Sequence, residues 1–271
     1  MAIQSVSEIR KRRKQFKGNL LIALCVILGL ALASINWWVG RQQIKLNEDT
    51  LCPASGPKGF TVLLIDKTDP PTTVQREALR QRLDHLAKTL PIGAAIQVYS
   101  VGPTGDDLLT AESPIVCNPG KGEGASAWTG NPRLLEKRWR ERFEEPIERV
   151  FGRMLQAGSS PRSPILESIQ SVAIRPLGSL EPDVKDRRLV IVSDMLHNTE
   201  QFSQYQQLIP FSEFVRTEYY RKVRCNLAGV DVEIIYLRRE QGLQGKDHIE
   251  FWQQYFADCG ARLVHVLALE G

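Results

Sequence analysis

The apolar positions of this chain fall into three patterns. One stretch near the N-terminus, Asn19 to Trp38 (NLLIALCVILGLALASINWW), carries no charge. Short, nearly continuous apolar runs follow at Phe60–Ile65, Ala95–Val101, Arg188–Ser193, Val230–Leu237 and Arg262–Leu267. Continuity over so few residues predicts strands buried on both faces. Between these runs the apolar residues recur every three or four positions, the period of an amphipathic helix. After Pro71 the helical set is Leu79, Leu83, Leu86 and Leu90, with Thr72 and Gln75 at capping-box spacing and Pro91 and Gly93 at the end. Arg133–Leu155 carries Trp139, Phe143, Ile147 and Phe151 at four-residue steps, and Pro146 predicts a kink or break. Shorter helices are predicted at Pro164–Ile174 and His248–Asp258, and a helical region over about 203–225.

Turn chemistry supplies the connections. A Gly-Pro-Thr-Gly turn leads from the second strand to a return strand near Ser113–Cys117. Residues 118–132 form a long loop, where Trp128 either covers the core or stands exposed, and 176–186 a second loop. Strands alternating with helices predict an α/β fold with a doubly wound, mostly parallel, Rossmann-like sheet and one antiparallel edge strand.

Charge changes the picture at the N-terminus. The net charge is +4, and Arg10, Lys11, Arg12, Arg13, Lys14 and Lys17 crowd the start of the chain. The remainder is close to neutral, which removes nucleic acid as an expected partner. About 20 apolar residues cross a bilayer. A preceding basic cluster stays in the cytoplasm, and Trp37 and Trp38 suit the far interface. The reading is a basic cytoplasmic tail (1–18), a transmembrane helix (19–39), a linker (40–59) rich in turn residues, and an extracytoplasmic domain (60–271). The rival is a cleaved signal peptide ending at Ala31-Leu32-Ala33, against which the length of the run argues.

Of five cysteines, Cys25 lies in the apolar run, and Cys52, Cys117, Cys225 and Cys259 lie in the exported part. Four cysteines allow three pairings, and an oxidising compartment favours disulfides. The absence of C-x-x-C argues against zinc and redox chemistry, and the absence of N-x-[ST] fits a bacterial periplasm.

Candidate chemistry gathers where the strands end. In open α/β sheets, ligands bind beyond the carboxyl ends of the strands, near the switch point. Three segments belong there: Asp66-Lys-Thr-Asp-Pro70, Ser163-Pro-Ile-Leu, and Ser193-Asp194-Met-Leu-His197. Carboxylates and hydroxyls in one place call for compensation, and a hard cation such as Mg²⁺ takes oxygen ligands.

These segments resemble the metal-ion-dependent adhesion site of the von Willebrand factor A (vWA) domain family, built from D-x-S-x-S, a later Thr and a later Asp. Asp66 matches the first Asp, and Thr68 replaces the first Ser with its hydroxyl kept. Pro70 stands where the second Ser belongs, so that ligand is lost; Asp69 substitutes for it, or the site is vestigial. Ser163 matches the Thr and Asp194 the last Asp. The resemblance covers about 59–270. It implies a protein-interaction module on a membrane anchor, with Mg²⁺ bound by Asp66, Thr68, Ser163, Asp194 and Asp69, in a bacterial envelope assembly whose partner no motif identifies. The family's sheet order also implies the pairings Cys52–Cys117 and Cys225–Cys259, at the end of the sheet opposite the site.

Two other readings stay open. One is a metal-free scaffold subunit of an envelope complex. The other is an Asp-dependent hydrolase or phosphotransferase, though Asp66 and Asp69 are spaced D-x-x-D rather than the D-x-D of haloacid dehalogenases. His197 reads as a surface or loop residue before an acid/base group, His85 and His248 as helix surface, and His265 as facing a helix.

Overall fold

The computed structural model describes residues 19, 23–35, 37, 46–68, 71–102, 108–122, 131–155, 160–240 and 242–271. The chain divides into two units, Met1–Lys45 and Leu46–Gly271. In the first, residues 23–35 are helical and exposed. Among the described residues no helix is long and apolar enough to cross a membrane. Parts of the expected span, Trp38 included, lie outside the described residues, as do Asp69, Pro70 and Trp128.

The second unit is built on a sheet of β1 (Gly59–Asp66), β2 (Ala95–Val101), β3 (Leu109–Ala111), β4 (Val116–Cys117), β5 (Asp186–Ser193), β6 (Val230–Leu237) and β7 (Arg262–Leu269). Its order is β3-β2-β1-β5-β6-β7, with β4 also on β2. The neighbours from β2 to β7 are parallel, while β3 and β4 run antiparallel to β2. The single expected return strand is thus two short pieces.

Helices cover both faces. On one face lie α1 (Thr73–Thr89) and the pair α2 (Pro132–Trp139) and α3 (Glu145–Met154). Their Leu79, Leu83, Phe143, Ile147 and Phe151 pack with Leu63, Ile65, Val190 and Val192 of the sheet. On the other face, α4 (Ile165–Ile174), α5 (Phe211–Phe214), α6 (Glu218–Val223) and α7 (Lys246–Asp258) pack against Val62, Leu64, Leu189 and Ile191. The alternation along each strand divides its side chains between two cores, as a strand buried on both faces must.

The capping box of α1 is formed: Thr72 accepts from the Gln75 backbone, and Gln75 returns the bond. Between α2 and α3 the helix widens into a π-helical segment, Arg140–Glu144. Pro146 would clash with a carbonyl four residues back in a regular α-helix. The π turn absorbs that clash without breaking the helix. The helical region expected over 203–225 is instead a loop followed by α5 and α6, because Pro210 restarts the chain. The expected linker is folded from Leu46 onward: Leu46 bridges Pro53, and Leu51 and Cys52 are buried.

Candidate functional site

Strand parity decides which side chains meet. Asp66 shares the β1 face of Val62 and Leu64, and Ser193 shares the β5 face of Leu189 and Ile191. Both point to the side on which α4 begins. They also end the adjacent strands β1 and β5, from which the chain crosses in opposite directions to β2 and β6. That is the switch point of the sheet.

Asp66 is the centre. Its Oδ1 accepts from the Thr68 backbone N–H at 2.9 Å and from the Thr68 hydroxyl at 2.6 Å. Its Oδ2 accepts from the Ser163 hydroxyl at 2.9 Å and the Ser193 hydroxyl at 3.0 Å. Asp66, Thr68, Ser163, Ser193 and Asp194 are all buried. Ser163 spends its hydroxyl here and not on capping α4, whose N-cap is Pro164 with no side-chain cap bond. The N-terminus of α4 nonetheless faces a carboxylate, a favourable placement for the helix dipole. Ser193 belongs to the third expected segment but not to the expected ligand set; its signal is a hydroxyl on the same strand face as its apolar neighbours, next to Asp194.

Asp194 looks elsewhere. Its Oδ1 accepts from Leu196 N–H at 2.9 Å, and its Oδ2 lies 3.4 Å from the Tyr205 hydroxyl. The loop it opens is tied down along its length. Met195 sits at φ 60°, a left-handed conformation unusual for a non-glycine residue. Ser193 Oγ accepts from its N–H at 2.8 Å, and its carbonyl accepts from Trp252 Nε1 at 3.0 Å. Ser163 and Asn198 exchange backbone bonds at 2.9 Å, joining this loop to the start of α4. Gln244 donates to the carbonyls of Asp194 and Leu237, both at 2.9 Å.

Two histidines complete the network, and neither is at the surface. His197 and His248 are both 0% exposed. His248 Nε2 lies 3.1 Å from both the Met195 carbonyl and the Trp252 indole N–H, and its Nδ1 lies 2.6 Å from the Tyr236 hydroxyl. His197 Nδ1 accepts from Leu166 N–H at 3.4 Å, and its Nε2 lies 3.0 Å from the Tyr219 hydroxyl, which donates to Glu167. Burial pushes His197 down to about 3. Burial also pushes His248 down to about 4, against the opposing Met195 carbonyl. Both are neutral structural pins. The helical pattern around His248 hid this, since periodicity reports a face and not what covers it. His85 is exposed as expected; His265 is exposed on the edge strand, 3.9 Å from Glu233.

The expected set therefore assembles in part. Asp66, Thr68 and Ser163 meet directly, Asp194 stands beside them with its carboxylate engaged elsewhere, and Asp69 lies outside the described residues. The donors do not fit a resident cation as they stand. A carboxylate offers about four lone-pair sites, and four protein hydrogens occupy those of Asp66. A hard cation would have to displace them. Among the described residues, no group of three or more His, Cys, Asp or Glu side chains could hold a metal.

At the opposite end of the sheet, the disulfides Cys52–Cys117 and Cys225–Cys259 are both formed. Cys25 is a free, exposed thiol.

No family model matches this chain, and no curated protein does. Among solved structures it is similar to proximal thread matrix protein 1 from the mussel byssus, with a zinc-occupied MIDAS motif (11% identity, TM-score 0.42, covering 80% of this chain and 44% of that one). It is also similar to the SpRpn10 VWA domain (11%, 0.36, 78% and 88%). A third is an aerotolerance-related membrane protein from Bacteroides fragilis (10%, 0.38, 78% and 91%). The chain thus spans less than half of the mussel protein. At such identities and scores, the fold is read from its own strand order and register.

Proposed function

We propose that this chain is a membrane-tethered protein-binding module of a bacterial envelope assembly, vWA-like in its domain, and that it works without a resident metal ion. The uncharged run 19–38 behind a basic tail supports the tether. The two disulfides support a domain on the oxidising side of the membrane. The antiparallel edge strand and the Asp/Thr/Ser cluster at the switch point agree with the vWA resemblance.

One observation carries the metal-free, non-catalytic reading: both oxygens of Asp66 are committed to protein donors. A carboxylate acting as nucleophile or general base needs a lone pair aimed at an open substrate position. Asp66 has none, and instead joins β1, α4 and β5 into one rigid rim. Between residues 208–211 and α7 an open groove of about 360 Å³ is floored by Phe211 and Phe251 and edged by Asp247 and Glu250. Its chemistry suits a partner segment that presents an apolar anchor next to a basic side chain.

Calorimetric titration of the full chain in detergent with Mg²⁺ and Mn²⁺ tests the first part. No saturable heat is expected; binding that disappears in Asp66→Ala overturns the metal-free reading, and turnover of phosphate esters overturns the non-catalytic one. A photo-crosslinker at the exposed groove position Gln254 tests the second. A protein adduct is expected at Gln254 in cells and is reduced by Glu250→Lys; an adduct unaffected by that charge reversal, or none, removes the groove as the recognition surface.

A further inference from the structure

The end of the sheet where the strands begin is built differently. The starts of β1, β5, β6 and β7 surround a cleft of about 270 Å³. Lys58, Lys185, Arg187, Arg188 and Arg262 line it. Two of these are neutralised: Arg262 grips Asp231 through two bonds at 2.7 and 2.8 Å, and Arg188 reaches Glu233 at 3.3 Å. The others are not. Arg187 donates only to the Val184 and Glu181 carbonyls. Lys58, Lys185 and Arg187 have no ion pair with a carboxylate among the described residues, and only Asp186 faces them as a further acid of the cleft. Lys58 and Lys185 are exposed. Basic residues from separate segments lining one concave mouth match the oxygens of a phosphate ester.

The chain itself says which phosphate is near. Lys58 directly precedes β1, and the segment leading to it is held at this end of the sheet: Cys52 is bonded to Cys117, which ends β4 opposite Ala95 at the start of β2, and Lys58 N–H donates to Gly93 O at 2.9 Å. On the tether reading, residues 40–45 join the anchor to Leu46. Six residues span at most about 21 Å when fully extended. The point where the chain enters the domain therefore stays within that distance of the bilayer surface. Attraction between basic side chains and anionic lipid acts over about a Debye length, ~10 Å at 0.1 M salt.

We infer that this cleft docks the domain on the membrane that anchors it, by taking the phosphate headgroups of anionic phospholipids between Lys58, Lys185 and Arg187. The inference rests on the tether proposed above.

The test uses the full chain in nanodiscs, one set of zwitterionic phosphatidylcholine and one with about one-third phosphatidylglycerol, read by amide hydrogen exchange. Exchange across 181–188 and 226–231 is expected to slow at least about threefold in the anionic discs. The protection is expected to vanish at high salt and in the double variant Lys58→Glu/Lys185→Glu, whose exposed positions leave the melting temperature unchanged. Equal exchange in the two disc types overturns the cleft assignment, in favour of an acidic protein or another ligand. Protection by millimolar inorganic phosphate in zwitterionic discs overturns the lipid source. A chain that enters neither disc type overturns the tether, and this inference with it.

Discussion

The two ends of one sheet solve opposite problems. Where the strands end, Asp66 is buried and satisfied by Thr68, Ser163 and Ser193, and the neighbouring loop is pinned by two neutral histidines. Where the strands begin, charged groups stand exposed around an open cleft and two disulfides close the chain. A buried carboxylate has to find its donors inside the protein, because water cannot supply them. An exposed lysine needs no partner, so it remains available to a ligand. The conspicuous acid at the switch point thus marks the more structural of the two ends, and the basic end is the more open to anions.

The largest effect that would break this comparison lies at the open end. Reducing Cys52–Cys117, which links residues 65 apart in sequence, is expected to cost about 4 kcal/mol by loop entropy. Denaturant unfolding with and without reductant checks this. At the rim, Asp66→Ala leaves three hydroxyls and an amide without their acceptor and is expected to cost about 3 kcal/mol. Asp66→Asn, which keeps the shape and one carbonyl acceptor, is expected to cost less. If Asp66→Ala were neutral in chemical denaturation, the rim would not be a structural rivet.

Acid sharpens the contrast next. Both buried histidines have folded pKa values below the unfolded 6.5, so the unfolded chain binds protons more readily and stability is lost as pH falls. The contribution is complete above pH 6.5 and drains between 6.5 and the folded values near 3 and 4. At pH 5 the loss is roughly 2 kcal/mol for each histidine. Glu167, raised mainly by burial, works in the opposite direction: its contribution is present at low pH and is lost as pH rises. Thermal melts from pH 7 to pH 4 on wild type and His248→Gln measure the difference; parallel pH profiles would show that His248 is not a pin.

Smaller effects belong to the cleft. At Gly59 an added Cβ would lie 3.0 Å from the Asp186 Cβ and 3.1 Å from its carbonyl, so Gly59→Ala is expected to cost about 1 kcal/mol in urea melts. Lys185→Glu is expected to change stability by less than about 0.5 kcal/mol while removing salt-dependent association with anionic bilayers. A large stability loss in Lys185→Glu would mean that the charge is structural and the two ends are alike.

The strands were legible because short Val/Ile/Leu runs leave no other arrangement: β2 and β6 have the limits read from the sequence. Helix α1 was legible down to its capping box. The 203–225 region misled, since Leu208, Phe211 and Phe214 keep helical spacing across a loop that Pro210 interrupts. Its start is instead held by His197, whose carbonyl accepts from the Gln204 backbone N–H and whose N–H donates to Gln204 Oε1, both at 2.9 Å. Pro146 predicts a kink or break because propensity does not register that a π turn accommodates it.

By itself the sequence determined the alternation of strands and helices, the cysteine count, the uncharged N-terminal run and the residues that crowd the switch point, since each depends on local period or composition. Only the tertiary structure decided that the Asp66 oxygens are filled by Ser163 and Ser193, 97 and 127 residues away, and that His197 and His248 are buried. It also decided that Lys58 shares one cleft with Lys185 and Arg187, more than 120 residues further along the chain. Hydrogen-bond satisfaction and burial are properties of atoms brought together across the chain, and no local pattern records them.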